Sequence, residues 1–290
     1  MSNVNPIEAQ YRKYKTRLVP FAYNIIGDSL AAEDVVQEIL NTYFLNDHAH
    51  IQEPDKYLMR SVINRSINAK KSINVKKQQY IGQWLPVPVH TDEEIYRGID
   101  KRHILDYSLL VLLEKLNPRE RAVFILKESF DFEHGEIAEV LEITAENSRQ
   151  LYKRGRQKLE TGGLIKPSAD KVTTDVTLKN LTEAILRADI ENVKALLSAH
   201  VQSYSDGGDM KAARNIIVGR DHVSKFIKAL WGKYFHPGTV VTSEKLNHSP
   251  ALVFRLGDLI YRCILFDMHD GVIANVYIIT NPSKLRALIK

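Results

Sequence analysis

One cysteine, Cys263, is all the thiol chemistry this 290-residue chain carries. A single thiol excludes an internal disulfide and any zinc site built on several cysteines. Lying in an apolar run, it is expected to be a small buried hydrophobe. Long apolar stretches are missing as well: none approaches the ~20 residues that a membrane span needs. The opening segment MSNVNPIEAQYRKYK has no apolar core of the secretory type. The expectation is a cytoplasmic protein without membrane contact, metal or cofactor. Excess charge is also small, at +5, and decides little by its size.

The placement of that charge is more informative. From Lys56 to Lys77 the chain carries Lys56, Arg60, Arg65, Lys70, Lys71, Lys76 and Lys77 with no Asp or Glu. A second acid-free stretch holds Arg149, Lys153, Arg154, Arg156 and Lys158. Cations segregated in this way raise the local potential and suit a polyanion such as the DNA backbone.

Residues 7–77 show helical periodicity in Ile7, Tyr11, Tyr14, Leu18, Phe21, Ala22, Ile25 and Ile26. Gly27-Asp28-Ser29 breaks that helix and caps the next, and Pro54 starts a third. Around Trp84-Leu85-Pro86-Val87-Pro88 regular helix is excluded, because each proline lacks an N–H and disfavours αR before it. Residues 103–162 are helical again, with Asn117-Pro118-Arg119-Glu120 as a strong start signal. After Gly162-Gly163 the pattern is mixed. Helices are expected at 178–187, 190–199 and 221–231, then strands at 240–245, 251–256, 259–266 and 272–279 joined as an antiparallel meander. The expected organisation is two all-α domains, 1–78 and 103–162, joined by a linker at 79–102. A second linker at 163–172 leads to an α+β domain at 173–290.

The run EIAEVLEITAENSRQLYKRGRQKL has the dimensions of a helix-turn-helix. Ile137, Ala138, Leu141, Ile143, Ser148 and Leu151 would close its core. Glu146, Asn147, Arg149, Gln150, Lys153 and Arg154 would then face outward, and Arg, Asn and Gln can read base edges in the major groove. Glu142 is an oddity, since many such turns prefer glycine there.

The two helical modules resemble regions 2 and 4 of the extracytoplasmic-function (ECF) class of RNA polymerase sigma factors. The resemblance rests on AEDVVQE (32–38), PDKYLMRSVINR (54–65), LEKLNPRERAVF (113–124) and the helix-turn-helix, in matching order over about 150 residues. It implies that Asp34, Gln37 and Glu38 dock on the polymerase clamp helices, with a further contact to the flap. It implies that Tyr57, Arg60, Asn64, Arg65, Lys70 and Lys71 engage the −10 element, with Asn64 at the base-capture position and Tyr57 where the family usually has Trp. The recognition helix would read the −35 element through Asn147, Arg149, Gln150, Lys153 and Arg154. Promoter DNA and core polymerase are the implied partners, and the free protein is expected to be monomeric.

Beyond region 4 the chain resembles a SnoaL-like cone domain. Three motifs sharpen this toward the sigma factors that carry such a domain: Trp84-Leu85-Pro86-Val87-Pro88, Ser205-Asp206-Gly207-Gly208 and Asn281-Pro282-Ser283-Lys284-Leu285. Asp209-Met210-Lys211 departs from the usual continuation of the second. Trp84, Leu85, Pro86 and Pro88 form a rigid apolar peptide suited to a groove. Asp206-Gly207-Gly208 reads as a tight turn, which could also contact this linker or a ligand. With Asn281, Pro282 and Leu285 these residues form the expected interdomain regulatory set, and the C-terminal domain is expected to regulate the sigma factor in cis. Asp206, Asp221, His222, His248, Asp267 and His269 sit in no catalytic motif, so no enzyme is expected. Two other functions stand beside this one: a ligand-responsive DNA-binding regulator working without core polymerase, and a SnoaL-like enzyme with a DNA-binding appendage.

Overall fold

Asp28 makes the first turn of the molecule, its side chain accepting from Ala31 N at 3.1 Å. It separates α1 (Pro6–Ile26) from α2 (Ser29–Leu45). The computed structural model describes residues 6–46, 51–80, 82–91, 103–160 and 176–289, apart from 178, 182, 185, 186, 188, 209 and 211. Asp92-Glu93-Glu94, the 163–172 linker, and Asp209 and Lys211 lie outside those residues. So does part of the helix expected at 178–187.

Two compact units emerge from the contacts: Met1–Gln78, Glu93–Leu105 and Leu109–Leu164 form one; Gln79–Asp92, Asp106–Ser108 and Ile165–Lys290 form the other. The two helical modules fall in one unit, and residues 79–92, between them in sequence, fall with the C-terminal domain in the other.

In the helical unit, α1 packs on α2 and on α3 (Pro54–Lys77), burying Leu18, Ala22, Ile25, Val36, Leu40, Leu58, Val62 and Ile63. The second module supplies α4 (Pro118–Ser129), α5 (His134–Leu141) and α6 (Ala145–Glu160). Asn117 caps α4 as expected: its side chain accepts from Glu120 N at 2.9 Å, while Glu120 accepts from Asn117 N at 3.0 Å. Thr144 accepts from Asn147 N at 3.1 Å and caps α6. Ile137, Ala138, Leu141, Ser148 and Leu151 are buried between α5 and α6, with Ile143 half-buried. The modules meet through α3 against α4 and α5. Phe21 stacks on Phe130 with ring centroids 3.8 Å apart.

The C-terminal unit has α7 (Ile190–Ala195), α8 (Arg220–Tyr234) and six strands: β1 (Leu197–Asp206), β2 (Ile217–Val218), β3 (Val240–Leu246), β4 (Ser249–Leu256), β5 (Leu259–His269) and β6 (Val272–Ile279). They form one sheet in the order β2-β1-β6-β5-β4-β3. The β3–β6 meander is antiparallel, as expected, but β1 pairs parallel with β6. Register shifts in the β1–β6, β4–β5 and β5–β6 ladders bend the sheet. Its inner face and the helices bury a common core that includes Leu181, Val193, Val201, Val223, Phe254 and Phe266. Cys263 is buried in β5, where loss of hydration pushes its thiol well above the ordinary range. The expected helix at 190–199 is half wrong: it stops at Ala195, and β1 begins two residues later.

Candidate nucleic-acid interface and linker cradle

A recognition helix needs its polar side chains on one exposed stripe. Asn147, Arg149, Gln150, Lys153 and Arg154 are all exposed on α6, and the 3.6-residue period puts 146, 149, 150, 153 and 154 on one face. Glu146 holds the stripe in shape, accepting from Gln150 at 3.4 Å and pairing with Arg149 at 3.5 Å. Both contacts are exposed and readily exchanged for others.

The residues expected to meet the −10 element lie along α3 in less uniform surroundings. Tyr57 is 42% exposed and leans toward Tyr43 at 6.4 Å. Arg65 is exposed and bonds both oxygens of Glu38 at 3.1 Å, so a residue expected at the −10 element and one expected at the clamp neutralise each other across α2 and α3. Asp34 and Gln37 are exposed beside Glu38. Lys71 is exposed with its ammonium 3.4 Å from Asn68 Oδ1. Arg60 pairs with Glu142, and Asn64 Nδ2 donates to Val140 O at 3.0 Å.

Lys70 overturns its expectation as a phosphate contact. It is 1% exposed, donating to Ile26 O at 2.8 Å and to Glu114 Oε1 at 2.7 Å. The reason is helical register: Leu58, Val62, Ser66 and Lys70 recur every four residues on the buried ridge of α3. Glu114 also accepts from Arg121 Nη1 at 2.6 Å and pairs with Lys77. Arg121 is fully buried, and desolvation lowers its guanidinium to about 9, still charged at neutral pH.

In the C-terminal unit the three motifs converge. Asp206 is fully buried at the end of β1. Its Oδ2 accepts from Leu85 N at 2.7 Å and from Lys284 Nζ at 2.5 Å, while its Oδ1 accepts from the Tyr80 hydroxyl. Lys284 also donates to Leu85 O, and its ammonium stands 3.8 Å from the centre of the Trp84 ring. Asn281 caps the short helix Pro282–Leu285 and donates to the Tyr80 hydroxyl at 2.9 Å. Burial and the neighbouring Asp206 raise the Tyr80 phenol well above its usual range, so it stays a donor. Leu85, Pro86 and Pro88 are buried, and Tyr107 donates to Pro86 O at 2.8 Å.

Farther along the same segment, Asn247 receives Val89 N and returns its own N–H to Val89 O, both at 2.9 Å. Thr91 N donates to Lys245 O at 3.0 Å. Residues 89–91 therefore run beside the exposed edge of β3 and satisfy its backbone there.

The glycines of Asp206-Gly207-Gly208 are needed for space. A Cβ on Gly207 would lie 2.5 Å from Met210 O; one on Gly208, at φ +58°, would lie 2.7 Å from Asn281 Nδ2. Gly208→Ala should destabilise the C-terminal unit by about 1–2 kcal/mol for the left-handed backbone alone, and more once Asn281 is displaced. Chemical denaturation checks this, and a stability equal to the parent protein would contradict the packing.

Sequence reasoning missed Tyr80, Tyr107, Asn247 and Lys284. Lys284 had a signal: it is a basic residue three positions after the Asn281 cap, inside the Asn281–Leu285 motif. Several of the polar residues weighed for catalysis have identified partners. Asp206 is committed to Lys284 and Leu85, Asp221 pairs with Lys194 at 3.0 Å, and Asp267 with Asn275 and His269 at 2.8 and 3.3 Å. Among the described residues no helix is long and apolar enough to cross a membrane.

Residues 107–159 match the family model Sigma-70, region 4. Over nearly the whole length the chain is similar to the probable ECF RNA polymerase sigma factor SigI of Mycobacterium tuberculosis, at 26% identity, covering 99% of this chain and 98% of that one. SigJ of the same organism, also an ECF RNA polymerase sigma factor, is 27% identical, with 95% and 92% covered. The crystal structure of SigJ shares the fold at a TM-score of 0.76, covering 97% of this chain and 99% of SigJ at 24% identity. The region 4 match and the similarity to SigI and SigJ over nearly the whole length make the chain a homologue of these ECF RNA polymerase sigma factors, with a further α+β domain after region 4.

Proposed function

We propose that this chain is a non-enzymatic initiation subunit that docks on core RNA polymerase in the cytoplasm and directs it to promoters. The observation that carries this is the exposed stripe of α6 in company with the cationic α3, two DNA-facing elements in one chain. A regulator acting without polymerase has no use for the acidic face of Asp34, Gln37 and Glu38 beside that helix. In this reading α6 recognises the −35 element through Asn147, Arg149, Gln150, Lys153 and Arg154. Tyr57, Arg60, Asn64, Arg65 and Lys71 serve the −10 element, where a flipped base needs polar and aromatic groups and the strand needs cations.

The C-terminal domain regulates this activity in cis. Residues 79–92 join region 2 to region 4 along the chain, and the Asp206–Lys284 cradle holds them. Whatever fixes that segment restricts the conformations the two DNA-binding modules can sample, and so biases initiation.

Run-off transcription with purified core polymerase tests the assignment. Promoter-dependent transcripts are expected, and failure to bind core or open any promoter would refute it. Arg149→Ala with Arg154→Ala should weaken duplex −35 binding by about 1–3 kcal/mol for each base-reading arginine. An unchanged affinity would remove the recognition role from this face.

A further inference from the structure

Glu142 breaks a local rule. It ends α5 in the left-handed region, at φ 54° and ψ 50°, where glycine is the favoured residue. A residue kept against backbone preference points to work done by its side chain. That side chain pairs with Arg60 on α3. One turn farther along α3, the Asn64 amide donates to Val140 O at 3.0 Å. Val140 lies in the last turn of α5, where carbonyls lack an intrahelical partner. The end of α5 thus presents a carboxylate and a free carbonyl to two side chains assigned to the −10 strand.

We propose that the C-terminal end of α5 is an internal competitor for single-stranded −10 DNA. The Glu142 carboxylate takes the place of a backbone phosphate against Arg60, and Val140 O takes the place of a base acceptor against Asn64. The recognition stripe of α6 stays exposed meanwhile. The free protein is therefore ready for duplex −35 DNA while Arg60, though exposed, is ion-paired and Asn64, half-buried, is hydrogen-bonded to the end of α5, and capture of the melted strand exchanges those contacts for DNA. The inference rests on the sigma-factor assignment and adds to it an order of events.

The test uses the full chain and a fluorescent single-stranded −10 oligonucleotide. Glu142→Gly removes the carboxylate and suits the backbone, and Glu142→Asn removes it while tolerating the same conformation. Both should bind the oligonucleotide about two- to fivefold more tightly than the parent, the scale set by one exposed ion pair. Affinity for −35 duplex should not change. The gain should vanish when Glu142→Gly is made together with Arg60→Gln and compared with Arg60→Gln alone. Equal oligonucleotide affinity in both single variants would overturn the proposal. So would a gain that persists without Arg60, because the effect would then belong to the turn itself. Should the parent protein with core polymerase fail to initiate transcription even from a pre-melted promoter, the sigma-factor assignment fails and takes this proposal with it. Normal initiation by the parent, with no gain in the variants, overturns this proposal alone.

Discussion

Replacing Asp206 by alanine is expected to destabilise the C-terminal unit by about 3–5 kcal/mol, the range for breaking a buried ion pair from one side. The substitution leaves the ammonium of Lys284, a residue 4% exposed, without its carboxylate. It also strips Leu85 N and the Tyr80 hydroxyl of their acceptor. Lys284→Met should be costly for the mirror-image reason, stranding a buried carboxylate. The double variant should lose less than the sum of the singles, because neither uncompensated charge remains. Strict additivity would argue that the pair is not coupled. Both of the chain's tryptophans, Trp84 and Trp231, lie in this unit. Fluorescence therefore follows its unfolding selectively. Under the proposed cis regulation, transcription from a fixed promoter should change in the Asp206 variant at temperatures where it remains folded. An unchanged transcript yield with a loosened 79–92 segment would separate the cradle from regulation.

Glu114→Ala should be equally severe in the helical unit, again by about 3–5 kcal/mol. Glu114 gathers Lys70, Lys77 and Arg121, of which Lys70 and Arg121 are almost wholly excluded from water. Losing the carboxylate leaves those like charges close together in a poorly solvated space, where their repulsion is weakly screened. The loss should appear in the helical signal of circular dichroism without an equal shift in the tryptophan transition. A parallel shift of both signals would show that the two units unfold as one.

Much of this was readable in the residues. The helix boundaries at Asp28, Asn117 and Thr144 follow from side-chain caps, and the meander follows from Gly257-Asp258 and Asp270-Gly271 between apolar runs. The exposed stripe of α6 follows from period alone. What escaped did so for physical reasons. Strand β1 puts Ser203 and Ser205, with Val201, in buried positions along one face, so hydroxyls interrupt the apolar alternation that marks a strand. Lys70 is a cation on a buried ridge, made tolerable by partners distant in sequence, Glu114 and the Ile26 carbonyl. The partners of Asp206 are 78, 121 and 126 residues away. No local pattern encodes such pairings. The quoted motifs suggested that the segments meet, but not which atoms do.

The separation between Leu85 and Lys284, 199 residues, also has a consequence in time. A ribosome adding about 5–20 residues per second needs roughly 10–40 s to travel from one to the other. Strand β1 likewise waits for β6, its parallel neighbour, which is made last in the sheet. In the later part of that interval, once residue 164 has been added, the helical unit is already synthesised while the cradle for residues 79–92 is still incomplete. Each newly made molecule thus passes through a youth in which its helical unit precedes the cradle that holds residues 79–92.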